Sequence, residues 1–405
     1  MNKQYILMVG CALMSLLQGW AQHVWQPGKV DIELVKRGDS FFPSGFSAFS
    51  IEGHFVWCGS AIRAEEDGKY YLFYSAMKSG PDQPPFVDAW LLGSMIGVAV
   101  SDSPYGGYKD LGIVYNKDGY RPDTGAWDAQ SVHNPHIQRY NGKYYLYYCA
   151  TVDPGEDASI EGRLSRRDRL QQNQKLGVLC FGSMKELLEG KFSCNEQPLL
   201  VPRTRVKPDN VLDPSPKGTT AKPDNLILVN PAVVYHPLLK KYLLYFKGNV
   251  YDPGWRGVHG VALSDSPEGP FTVQEDFVFE FETSTDRKLS AEDPFVWYHR
   301  KDRCLYAVFK DFTGDFTKGK PGLAVMCSVD GIHWTLPERS LFMDREILLK
   351  DGQRVEVDRL ERPQLLLDAD DNPMVLYAAC SVAPLNSKRD GSSFSVQIPI
   401  RETGR

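Results

Sequence analysis

The sequence predicts an all-β fold, a five-bladed β-propeller whose blades are four-stranded antiparallel sheets set around a central channel. Three observations predict it. Five segments, four of them opening on a Pro, run through a turn into an aromatic-rich stretch. They are Cys58-Gly59-Ser60 to Tyr70-Tyr71-Leu72-Phe73-Tyr74, His133-Asn134-Pro135 to Tyr144-Tyr145-Leu146-Tyr147-Tyr148, Val229-Asn230-Pro231 to Tyr242-Leu243-Leu244-Tyr245-Phe246, Glu292-Asp293-Pro294 to Cys304-Leu305-Tyr306-Ala307-Val308-Phe309, and Glu361-Arg362-Pro363 to Met374-Val375-Leu376-Tyr377. The anchors are widely spaced: 75 residues from Ser60 to Pro135, then 96, 63 and 69 to Pro231, Pro294 and Pro363. A second motif keeps the same phase, Ser101-Asp102-Ser103-Pro104 recurring as Ser264-Asp265-Ser266-Pro267 and loosely as Ser328-Val329-Asp330-Gly331.

Each copy reads as a hairpin. Pro at a strand start gives up no ladder N–H, and Gly or Asn at the tip permits a tight reversal. Anchors this far apart leave room for four strands and long loops per blade. A blade has an apolar face that a neighbouring blade must cover, so five copies imply a closed ring. The Ser-Asp-Ser-Pro motif fits a third strand ending in a turn. The stretch Ser392 to Ile400 alternates like a strand and is expected to help close the ring.

Residues 1–21 read as a signal peptide: Lys3, an apolar run from Tyr5 to Leu17, and small residues Gly19 and Ala21 before a cut ahead of Gln22. The run is too short for a membrane span. Residues 22–405 are then expected to form one propeller domain in the periplasm or outside the cell, with lipid attachment at Cys11 the less favoured alternative. Seven Cys remain in that span, an odd number that argues against a complete disulfide framework. With 46 basic against 51 acidic residues and no basic tract, nucleic acid and anionic membranes are poor partners. Two segments break the repeat, Asp153 to Lys175 and Arg203 to Asp224. Both fall between the second and third blades, where long loops on a rim would build a substrate site.

The innermost strand of each blade lines the channel, so residues beside the anchors should converge near one end of the axis. Immediately before the anchor stand Gly59, Asn134, Asn230, Asp293 and Arg362. One residue earlier stand Cys58, His133, Val229, Glu292 and Glu361. Such a gathering of acids, amides, His and Arg suits a polyol, which needs donors and acceptors for its hydroxyls and carboxyl groups for proton transfer. His133 and His136, three apart on a strand, are expected on opposite faces, which argues against a shared metal.

Blades opening in Asp-Pro or Glu-x-Pro, followed by Gly68-Lys69-Tyr70-Tyr71-Leu72-Phe73-Tyr74 and the Ser-Asp-Ser-Pro turns, resemble the five-bladed glycoside hydrolases around family 43, with families 32, 62 and 117. The resemblance runs from about residue 45 to 385. It implies an Asp base or nucleophile on the first blade, a supporting Asp on the second and a Glu acid on the third. The matching positions here are Cys58-Gly59, Asn134 and Val229-Asn230, none of them a carboxyl. The acids lie on other blades.

Glycoside cleavage needs one carboxyl to protonate the leaving oxygen and a second, ionised one to activate water or attack the anomeric carbon. Glu292 is assigned as the acid, with Glu361 the alternative. Asp128, in the approach to the second blade, is assigned as the base, with Asp293 next. Lys247, Lys310, Arg362, Asn134, Asn230 and His133 are expected to bind substrate. Of the Trp residues in irregular contexts, Trp57, Trp90, Trp127, Trp255 and Trp297, two are expected to stack on sugar, Trp57 and Trp127 first. The resemblance implies no cofactor beyond a structural calcium ion that some of those enzymes hold in the channel. The expected activity is exo-acting, weakly favouring inversion, on terminal sugars of polysaccharide-derived oligosaccharides. The alternatives are a glycan-binding propeller without catalysis and a polysaccharide lyase using His133 against a uronic acid held by Arg362.

Overall fold

The ring is built from five sheets, each starting with one of the anchored segments as its innermost strand. The computed structural model describes residues 23–117, 121, 124–158, 164–251, 254–282, 288–317 and 319–404. The leader assigned to residues 1–21 lies outside them. Blade 1 consists of His54–Arg63, Tyr70–Lys78, Met95–Ser101 and Lys109–Tyr115. Blade 2 has Ser131–Tyr140, Lys143–Thr151, Lys175–Phe181 and Ser193–Cys194, and blade 3 has Val229–His236, Lys241–Tyr251, Trp255–Ser264 and Thr272–Val273. Blade 4 has Glu292–His299, Cys304–Asp311, Gly322–Ser328 and Leu341–Asp344. Blade 5 has Arg359–Leu367, Pro373–Ser381 and Phe394–Gly404, with Val24–Pro27 as its outermost strand.

Closure uses the expected C-terminal strand together with an N-terminal one. The C-terminal segment is the third strand of blade 5, and the N-terminal Val24–Pro27 completes that blade by pairing antiparallel with Phe394–Gly404. His23 fastens the junction. Its Nδ1 stands 2.7 Å from Glu402 Oε1 and its Nε2 2.5 Å from Asp302 Oδ2, so one imidazole joins the two chain ends to blade 4. Tyr306 donates to the same Asp302 oxygen at 2.9 Å.

Apolar cores lie between blades rather than within them. Phe73, Val98 and Tyr144 fill the space between blades 1 and 2, and Tyr147, Leu176 and Leu244 that between blades 2 and 3. Tyr245 meets Phe309 between blades 3 and 4, Trp297 meets Leu376 between 4 and 5, and Tyr74 meets Tyr377 where blade 5 returns to blade 1. Aromatic side chains supply the area each interface needs to hold neighbouring sheets together. The seven described Cys are free thiols, six of them buried. The buried ones behave as small hydrophobes.

All five innermost strands carry a β-bulge at the same place. Pairing with the second strand jumps from Trp57 to Ser60, from His133 to His136, from Val229 to Ala232, from Glu292 to Phe295 and from Glu361 to Gln364. The first bulge residue is left-handed each time: Cys58 at φ 57°, Asn134 at 55°, Asn230 at 59°, Asp293 at 57° and Arg362 at 54°. Cys58, not Gly59, is thus the partner of Asn134, so the first copy is shifted by one from its sequence alignment. Gly59 takes the place of the Pro, where a Cβ would meet Ser395 Oγ at 2.6 Å. The bulge also overturns the expected phase of His133 and His136. These residues pair with Cys149 and Tyr147, two apart, and so share a face of the sheet.

Candidate functional site

The five bulge residues form a ring of side chains across the hub. Cys58 donates to Asn134 Oδ1 at 2.7 Å, and Asn134 Nδ2 to Asn230 Oδ1 at 2.5 Å. Asn230 Nδ2 donates in turn to Asp293 Oδ1, which also accepts from Arg362 Nη1 at 3.2 Å. Bulges re-aim side chains, and a left-handed residue costs roughly 1–3 kcal/mol unless its surroundings fix it. Asn and Asp adopt this conformation more readily than Cys or Arg. Here the hydrogen bonds between neighbours do the fixing.

Above this floor, residues one position earlier and their cross-strand partners make a charged wall. Lys247 is in direct contact with Glu292 Oε1. Lys310 Nζ lies 2.5 Å from Glu361 Oε1 and 3.7 Å from Glu292 Oε2, while Arg359 Nη1 lies 3.3 Å from Glu361 Oε1. Both lysines face the acids because register pairs Glu292 with Lys310 and Val229 with Lys247. The cavity they border measures about 390 Å³. Its lining is also aromatic, with Trp57, Phe86, Trp90 and Phe312. Lys310 Nζ sits 3.8 Å from the centre of the Phe312 ring.

Two insertions raise the rim. The helix Phe86–Gly93, between the second and third strands of blade 1, follows Pro85, which presets the backbone at the cap. It buries Phe86 against Phe55 and Trp57, the latter ring 4.9 Å away. The helix Arg166–Gln172 lies in the segment from Asp153 to Lys175 and is capped by Ser165, which accepts from Asp168 N. Arg167 ties the two helices together through Asp88 at 2.8 Å. Gln171 and Gln174 from the second insertion line the cavity.

Burial and charge set the protonation of the hub. Burial, and then the positive charge of Arg362, pushes His133 down to about 4, so its imidazole is neutral. Burial likewise lowers His136 to about 4. Lys247 is pushed down to about 8 by burial, against the pull of Asp293. Burial opposes the charge of Arg362, but Asp293, which is hydrogen-bonded to it, outweighs burial and holds its pKa above the ordinary value. Burial raises Cys149 to about 12 and Cys58 further, so both stay thiols.

The structure brings together Glu292, Asp293, Glu361, Asn134, Asn230, Lys247, Lys310, Arg362 and Trp57, which all line the one cavity. Three of the sequence candidates stand elsewhere. Asp128 is buried between blades 1 and 2, where it accepts from Tyr115 at 2.5 Å, from Tyr148 at 3.0 Å and from Arg121 Nη2 at 3.2 Å. Those three donors hold its carboxylate in the wall of the fold, away from the cavity lining. Trp127 stacks on Tyr148 with ring centroids 5.8 Å apart. His133 lies behind the lining, its Nδ1 3.1 Å from Cys149 Sγ and its ring edge-on to Trp90. Of the five Trp candidates, Trp57 and Trp90 reach the cavity. Trp297 is buried between blades 4 and 5, and Trp255 is exposed beside Tyr251. Sequence reasoning missed Phe86 and Phe312 in the aromatic lining and Arg359 in the wall. For Arg359 a signal existed, since it stands two residues before Glu361 on the same strand and thus on the same face.

No family model matches the chain, and no curated protein does. Solved structures do. A family 117 glycoside hydrolase produced by the marine bacterium Zobellia galactanivorans superposes with a TM-score of 0.55 at 16% identity, covering 93% of this chain and 90% of that one. A second structure described as a glycoside hydrolase gives 0.58 at 14% identity, with 89% and 92% covered. A thermostable family-43 glycoside hydrolase gives 0.51 at 11%, with 88% and 92% covered. At these identities the likeness establishes the shared architecture, a five-bladed propeller.

Proposed function

We propose that the chain is a glycoside hydrolase acting in the hub cavity, with Glu292 as proton donor and Glu361 as the ionised carboxylate. The observation that carries this reading is Lys310, one ammonium bridging two carboxyl groups on adjacent blades. Groups so bridged stand closer than the roughly 6.5–9.5 Å that an inverting pair leaves for water. The spacing supports a double displacement with retention, in which Glu361 attacks the anomeric carbon and Glu292 protonates the departing oxygen. Water then enters as Glu292 takes its proton, and the glycosyl–Glu361 ester is cleaved.

Different cations flank the two acids. Beside Glu361 stand Lys310 and Arg359. Glu292 is paired with Lys247, whose hold on its proton is weakened by burial. Asp293, fixed between Asn230 and Arg362, shapes the floor. Trp57 and Trp90 offer flat apolar faces for the C–H side of a pyranose, and a cavity closed by two inserted helices suits a terminal sugar. The apolar run from Tyr5 to Leu17 supports export as the setting, where glycan fragments are met.

The test is product analysis on glycan digests and aryl glycosides. A new reducing end whose configuration matches the substrate is the expected result, and Glu292→Gln or Glu361→Gln should abolish it. An unsaturated product would mean elimination instead. Binding without any product would make the propeller a glycan receptor.

A further inference from the structure

The cavity's charge is opposite in sign to that of the chain. Its lining carries Lys247, Lys310, Arg359 and Arg362 against Glu292, Asp293 and Glu361, whereas the whole sequence has a net charge of −5. A cationic site set in an acidic protein concentrates field lines on an anionic ligand. The lysines and Arg359 are already turned toward carboxylates of the wall. Arg362 is not fully used.

Only 3% of Arg362 is exposed, and its Nη1 is committed to Asp293. Its Nε and Nη2 have no oxygen or nitrogen acceptor. These two nitrogens form one edge of the guanidinium, with parallel N–H bonds spaced to meet both oxygens of a carboxylate. The Cys58 side chain is a hydrogen-bonding neighbour of Arg362, but sulfur is a weak acceptor. Leaving charged donors buried and unmatched is costly, and a ligand that meets them recovers that cost on binding. On the cavity lining, Asn249 Oδ1 also lacks a partner. It adds a neutral acceptor of the kind that sugar hydroxyls require.

We propose that the sugar held on the floor is a uronic acid whose carboxylate docks on the Nε/Nη2 edge of Arg362. This rests on the reading of the hub as a glycan site. A hydroxyl would satisfy one N–H of the edge. A carboxylate satisfies both and brings the charge that the cavity favours.

Calorimetric titration of the intact protein with free uronic acids, D-galacturonate, D-glucuronate, D-mannuronate and L-guluronate, against their methyl esters tests it directly. Esterification removes the charge and leaves the ring intact. At least one free acid should bind about 10-fold or more tightly than its ester, and the difference should shrink as salt is raised. Arg362→Lys keeps a charge but loses the fork, so it should erase most of that difference. Should the variant fail to fold, the acid–ester contrast and its salt dependence in the native protein decide alone. Equal affinities across all four pairs would overturn the proposal, as would tighter binding of galactose 6-sulfate than of every uronate. Hydrolysis of neutral aryl glycosides with no acid–ester difference would sink the uronate inference and keep the hydrolase. A clear difference without hydrolysis would do the reverse.

Discussion

The two mouths of the central channel are made from the same five strands and could hardly differ more. At the end where the innermost strands begin, the lining is charged and aromatic around about 390 Å³. At the other end a cavity of about 350 Å³ is lined mostly by apolar side chains, among them Ile62, Ile137, Val234, Phe295 and Leu365. Between them His136 and Gln364 reach across the axis, 2.9 Å apart, with Ser60 against the same Gln364 oxygen at 3.2 Å. The difference originates in the bulges. At each bulge the left-handed residue joins the polar ring across the hub; beyond it the strand returns to regular pairing and presents mostly apolar residues at the far mouth.

The largest effects should separate the mouths outright. Glu361→Gln or Glu292→Gln is expected to lower kcat by about 1,000-fold or more with the fold intact, as seen when a group acting only in the transition state is removed. Ile62→Ala at the far mouth should leave kcat/KM within twofold. Comparable losses at both ends in steady-state kinetics would erase the distinction.

Acid should next expose the buried hub. His133 and His136 are held neutral near 4, below the value of about 6.5 they regain on unfolding. The unfolded chain therefore binds more protons between these values, and stability present above pH 6.5 is lost as pH falls toward 4. Urea titrations across this window should show a loss of a few kcal/mol, reduced in His136→Gln. A flat profile would mean that the imidazoles are not buried as neutral groups.

A smaller effect tests the floor ring. Cys58→Asn retains a residue tolerant of φ 57°, whereas Cys58→Val places a β-branched side chain there, at a cost of roughly 1–3 kcal/mol. Denaturant midpoints of the two variants should differ in that order. The smallest is a pH effect on turnover. Because Lys247 lies near 8, rate should decline above that pH as the Glu292–Lys247 pair loses its proton, and Lys247→Met should abolish this limb.

The blades were legible because each repeats an anchor and an aromatic strand, patterns that backbone chemistry dictates locally. Glu292, Asp293, Glu361 and Arg362 were legible for the same reason, as their positions follow from the anchors. The bulge was not. One extra residue leaves no mark on composition, yet it moved the first copy by one position and put His133 and His136 on the same face. Asp128 was misplaced because its environment is made by Tyr115, Tyr148 and Arg121, contacts that depend on how two blades meet. The helix Phe86–Gly93 escaped for its shortness, although Phe86, Ala89 and Leu91 mark its buried side.

Glu361 and Arg362 belong to the blade that Val24–Pro27 completes. That blade cannot be assembled from contiguous chain, since its outermost strand and its other three come from opposite termini. Such long-range pairing is slow to form and comes late. A polypeptide cut short at either extremity would keep most of its sheets while losing a strand of the blade that carries Glu361, so strands from far apart in the sequence jointly bear on the geometry of the hub.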